Sequence, residues 1–167
     1  MEVLIMKSSE IAEKMVLYSK GNLHDINHFL KVFAYAKLIG ECENLSGREQ
    51  QTVEIAALVH DIACPFCREK YGNTDGKHQE TEGAILAKAF LSDKSLPDDV
   101  LKRVVFLVGH HHTYSEVDGI DYQILLEADY LVNADESRFS RENIGNTREK
   151  LFKTETGISL LQSIYNV

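Results

Sequence analysis

The sequence predicts an all-helical fold of about seven helices with a metal site among them. Three observations predict it. Apolar residues recur at helical spacing along most of the chain, and the breaks between them are short and polar. No stretch alternates as a strand would. Three of the apolar faces, far apart in sequence, also carry a side chain with metal affinity.

The elements follow in order. Ser9 is placed to cap a first helix ending near Lys20-Gly21-Asn22. Asp25 or Asn27 starts the second, with Gly40 near its end. Ser46-x-x-Glu49 is a capping box that opens the third, and Cys64-Pro65 ends it. Residues 68–79 hold Gly72, Asn73, Asp75 and Gly76 and read as a loop. Ala84, Ala87 and Ala89 favour a short helix from Glu80 to Leu91. Leu96-Pro97-Asp98-Asp99 starts the next, which runs through Val104, Val105 and Val108 to His110-His111-His112. Asp118-Gly119 marks a turn before a helix over residues 122–136. From Ser140 the tail forms one or two shorter helices, ending with Ile158 to Tyr165.

Within these helices, polar groups sit where burial would penalise them. Val53, Ala56, Ala57 and His60 fall at i, i+3, i+4 and i+7, one buried face, and Asp61 follows at the helix end. Adjacent helical residues point about 100° apart, so His60 and Asp61 reach one ion only where the helix stops. His28 heads a stripe of Val32, Tyr35, Ala36 and Ile39, and Asp129 shares a face with Leu125, Leu126 and Val132. A divalent cation would satisfy all of them.

Here the chain resembles the HD-domain superfamily of metal-dependent phosphohydrolases. The resemblance is carried by His28-x-x-x-Val32-x-x-x-Ala36, by Ala56-Ala57-Leu58-Val59-His60-Asp61-Ile62 and by Glu127-Ala128-Asp129-Tyr130-Leu131. It implies an HD-domain-like helical bundle around a central metal held by His28, His60, Asp61 and Asp129. It also implies hydrolysis of a phosphate monoester or phosphoanhydride, on a nucleotide or another small phosphorylated metabolite. Mixed imidazole and carboxylate ligands suit Mn, Fe, Co, Ni or Zn. Asp61 would also orient the attacking water. Relatives place a His or His-His between the HD pair and the last Asp, for a second metal or the substrate phosphate. His111 is the first choice for that role, since it follows Val108 by three residues and Leu107 by four; His110 is the second. Two-metal relatives also carry a His four residues before a position matching Gly83; here that is Gln79, with His78 one place off. Two rival readings share these residues: a dinuclear-iron oxygenase, and a non-catalytic nucleotide-sensing or interaction module with a structural metal.

Other features weigh less. Arg68, Lys70 and Lys77 are the cations nearest the metal pair in sequence, and so the candidates for substrate phosphate. His24-Asp25 precedes a helix and lacks the apolar lead-in, so it reads as a cap, with His24 near the pocket rim. Cys64-Pro65-Phe66-Cys67 has the spacing of a redox motif or half a zinc site, but no strand precedes it and Cys42 stands alone. The pair reads as structural.

Composition fits one cytoplasmic domain over residues 1–167, with 44% hydrophobic residues and three cysteines that suggest no disulfide framework. No apolar run approaches the roughly 20 residues that span a bilayer. Met1 to Lys7 is too short and acidic for a signal peptide. A net charge of −8 disfavours stable nucleic-acid binding, while a small phosphorylated partner and a homo-oligomer remain compatible.

Overall fold

The computed structural model describes residues 7–93 and 95–167, so the leader reading of residues 1–6 lies outside the described residues. The described residues form nine helices and no strand. They are α1 (Ser8–Tyr18), α2 (Leu23–Cys42), α3 (Gly47–Val59), α4 (Cys64–Tyr71), α5 (Gly76–Leu91), α6 (Asp98–Val108), α7 (Ile120–Glu136), α8 (Arg141–Leu151) and α9 (Glu155–Tyr165). None is long and apolar enough to cross a membrane.

The centre is α3. Every residue from Thr52 to Val59 is buried, so the helix is enclosed all round rather than along the one face its spacing suggests. Ala56 and Ala57 let neighbours approach closely, and α2, α6, α7 and α1 all pack against it. Its start is the expected capping box, in which Ser46 Oγ accepts from the Glu49 amide and the Glu49 carboxylate accepts from the Ser46 amide. Helix α7 is buried almost as fully, from Asp121 through Val132. Together α2, α3 and α7 form the scaffold of the site.

Several expected boundaries move. The first helix is capped at Lys7 rather than Ser9, because the Glu10 carboxylate reaches back to the Lys7 amide. Asn22, not Asp25 or Asn27, caps α2, accepting from the Asp25 amide. That leaves the Asp25 carboxylate free to take a two-pronged ion pair from Arg68. The largest correction concerns residues 60–79. Cys64-Pro65 does not end α3, which stops at Val59; it opens α4, with Pro65 in the first turn, where a missing N–H costs nothing. The expected loop over 68–79 shrinks to four residues. Gly72, at φ 71°, takes the left-handed conformation that stops α4, and Asp75 caps α5.

Candidate metal centre

Each imidazole at the centre is aimed by a hydrogen bond on its far side. His28 Nδ1 lies 2.8 Å from the Glu136 carboxylate, His60 Nδ1 2.7 Å from the Ala57 carbonyl and His111 Nδ1 2.8 Å from the Val108 carbonyl. Those partners only accept, so each Nδ1 carries the hydrogen and each Nε2 is turned toward the centre. His28 Nε2 and His60 Nε2 stand 3.2 Å apart. Around them, Asp129 Oδ1 lies 3.2 Å from His28 Nε2 and 3.5 Å from His60 Nε2. Asp61 completes the set at 3.3 Å from His28 and 3.5 Å from His60. Atoms bound about 2.0–2.2 Å from one ion sit about 3 Å from each other, so the spacing fits a shared cation.

The local folding makes this convergence. His60 caps α3 and Asp61 begins the turn after it, where the two side chains can swing to one point. His28 reaches in from α2 and Asp129 from α7, where Asn133, one turn on, donates to Asp129 Oδ1 at 2.8 Å.

A second group shares Asp61. Its carboxylate, His111 and His112 hold donor atoms within 4.8 Å of one another, and His111 Nε2 lies 3.3 Å from Asp61 Oδ1. His112 Nε2 is buried without a hydrogen-bond partner among the described residues, and His111 Nε2 has the Asp61 carboxylate beside it. Two imidazole nitrogens converging on one carboxylate are the donor set a cation satisfies. The turn carrying them is held by Glu80, which accepts from the His112 amide and the Thr113 hydroxyl, and by Tyr122, whose hydroxyl donates to the His110 carbonyl. Gly76 is where α5 passes closest: a Cβ there would press into the His112 ring.

Electrostatics agree with ionised carboxylates. Burial disfavours the charge on Asp61, but His60, His111 and His28 outweigh it and hold the carboxyl well below the usual range. Asp129 is lowered in the same way, against burial, by His28 and His60. Burial and the adjacent His111 push His112 down to about 4, so its ring is neutral near pH 7. Burial, with Asp61 and Asp25, pushes the Cys64 thiol up, and it donates to Gln79 Oε1 as a thiol.

The site lies at the floor of a polar cleft of about 200 Å³ that includes His24, Asp25, Arg68, Gln79 and His112. His24 and Arg68 are exposed at its rim. Other sequence candidates fall elsewhere. His110 turns away to stack on Phe106, with ring centres 4.1 Å apart. Lys70 pairs with Glu82 at 2.8 Å, and exposed Lys77 is not part of the cleft wall. His78 stacks on Tyr71, while Gln79 faces the cleft. Sequence reasoning missed Glu136, Asn133 and the inward turn of His112. Asn133 and Glu136 follow Asp129 by four and seven residues, so extending the Asp129 face would have found both.

The fold and the site together define a family. Residues 25–135 match the HD domain family model, and the chain belongs to that family, whose domains bind divalent metals. Among solved structures, a predicted HD superfamily hydrolase from an uncultured Thermotogales bacterium is similar at 25% identity and TM-score 0.70. The match covers 95% of this chain and 84% of that one. The Lin1889 protein from Listeria innocua shares the fold at 18% identity and TM-score 0.59, over 96% of this chain and 94% of that one. No curated protein matches the chain.

Proposed function

We propose that the chain is a metal-dependent phosphohydrolase acting on a phosphate monoester or phosphoanhydride, of a nucleotide or another small phosphorylated metabolite. The observation that carries this reading is the convergence of His28, His60, Asp61 and Asp129 at the floor of an open polar cleft. A divalent transition metal held by these four would supply the Lewis acidity that polarises a phosphoryl oxygen and acidifies water. Asp61 has its side chain 26% exposed, so it can orient a water for attack as well as ligate. His111 stands beside Asp61, which outweighs burial and raises the imidazole above its ordinary pKa. From there His111 is placed to stabilise phosphoryl charge or to pass a proton to the leaving oxygen. Arg68 is the cation this reading assigns to substrate phosphate, since it is part of the cleft wall and Asp25 fixes its guanidinium.

The open cleft argues against a purely structural metal. The shared Asp61 is also compatible with one second reading, a dinuclear-iron oxygenase, because a carboxylate can bridge two ions. The test is phosphate release from a panel of phosphorylated metabolites, measured with Mn, Fe, Co, Ni or Zn added. Release that disappears in Asp61→Ala is the expected result. No release from any member by metal-loaded protein would reject the reading, and dioxygen uptake by the iron form would favour its rival.

A further inference from the structure

Beside the metal cleft lies a larger chamber of about 540 Å³, and Asp129, Asn133 and Ser137 belong to the walls of both. One side of the chamber is a face of α7, where Asn133 follows Asp129 by one turn. The other is a face of α8, where Asn143, Thr147 and Lys150 fall at i, i+4 and i+7. Tyr114 and Phe139 flank it from the connecting segments; they are 60% and 37% exposed. The walls are mostly apolar, in contrast to the polar cleft next door. Residues 139–151 lie beyond the matched HD region, so this half of the chamber belongs to the chain's own C-terminal part.

Building on the phosphohydrolase reading, we propose that the chamber seats the organic part of the substrate, a flat aromatic ring with a polar edge. The division of chemistry points to it. Three aromatic rings, Tyr114, Tyr130 and Phe139, line the chamber and suit a planar partner, while Thr147, Lys150 and the Asn143 amide nitrogen offer hydrogen bonds at its edge; Asn143 Oδ1 already accepts from the Tyr130 hydroxyl. The shared wall at Asp129 sets the ring next to the reacting phosphate. In the reaction, the water oxygen bonds to phosphorus as the bond from phosphorus to the ester oxygen breaks. The proton given up by the water is matched by one taken up on the ester oxygen, which leaves into the chamber as the alcohol.

The experiment compares 2-naphthylmethyl phosphate with ethyl phosphate, two primary-alcohol esters that differ in the ring. Metal-loaded wild type, Tyr114→Ala and Phe139→Ala are assayed, with metal content measured in each. The expected result is a wild-type kcat/KM ratio favouring the aromatic ester, and a roughly threefold to tenfold fall in that ratio in each variant. Hydrolysis of both esters without ring preference, or a preference that survives both substitutions, overturns the chamber and leaves the hydrolase standing. Hydrolysis of neither ester overturns the chamber as a seat for a simple aromatic ester, and phosphate release from the metabolite panel decides separately whether the hydrolase stands.

Discussion

In the metal-free protein His28 carries a proton that a metal ion must displace. Burial opposes that proton, but Asp129, Asp61 and Glu136 outweigh it and push the imidazole pKa up to about 10. The folded value is raised above the ordinary 6.5, so in apo-protein this pairing stabilises fully below about 6.5 and is lost as pH rises through about 10. Ligation needs a bare Nε2, so apparent metal affinity should rise between those values, by up to about tenfold per pH unit. Calorimetric titration at two pH values, in buffers of different ionisation enthalpy, should show one proton released per ion. A pH-independent affinity would show that His28 gives up no proton. The residues behind this behaviour differ in how they could be read. His28, His60 and Asp129 were legible because each interrupts an apolar helical face. The spacing from Leu107 and Val108 pointed to His111, but the inward turn of His112 was not legible, because α6 ends at Val108 and helical spacing stops predicting direction there.

At the scale of elements, cap chemistry located α3 and α6, but α4 was hidden because Pro65 reads equally as a stop and as a first-turn residue. With α4 helical, Cys64 and Cys67 become buried packing residues, and burial raises the pKa of both thiols. The Cys64→Ser/Cys67→Ser double variant should therefore keep its metal. Zinc lost from that variant, with the histidines intact, would make the pair ligands. Glu127, two residues before Asp129, serves a different purpose. It is fully buried and accepts from the Lys153 amide and from the Thr154 amide and hydroxyl, which ties the start of α9 to α7. Truncation would strand those donors, so Glu127→Ala should cost roughly 3 kcal/mol or more in denaturant unfolding. A loss below about 1 kcal/mol would mean that the tie contributes little. The tie spans 27 residues between Glu127 and Thr154, a separation no local pattern reports.

Across the whole molecule, the first ion would bridge α2, the end of α3 and α7, three elements already joined by packing and by polar links such as Lys31–Glu136 and Lys37–Glu54. Holding it at about 100 times its Kd adds about 2.7 kcal/mol to stability, which in a domain of this size raises Tm by roughly 5–10 °C. A chelator should remove that gain, and His60→Ala should abolish both the gain and the ion. The second group draws on Asp61, His111 and His112, and the wall of the same cleft holds Gln79, an amide that binds transition metals poorly. One tight ion and one weak ion should therefore appear in metal titration, with His112→Ala deleting only the weak one. Gln79 is buried in the cleft wall, with Thr74 and Cys64 as its partners, so an imidazole there would face the same space. Gln79→His should accordingly convert the weak site into a tight one and move the titration endpoint from one equivalent toward two. Two ions at full and equal occupancy in the unaltered chain would show that Asp61, His111 and His112 suffice, and that Gln79 does not limit the site.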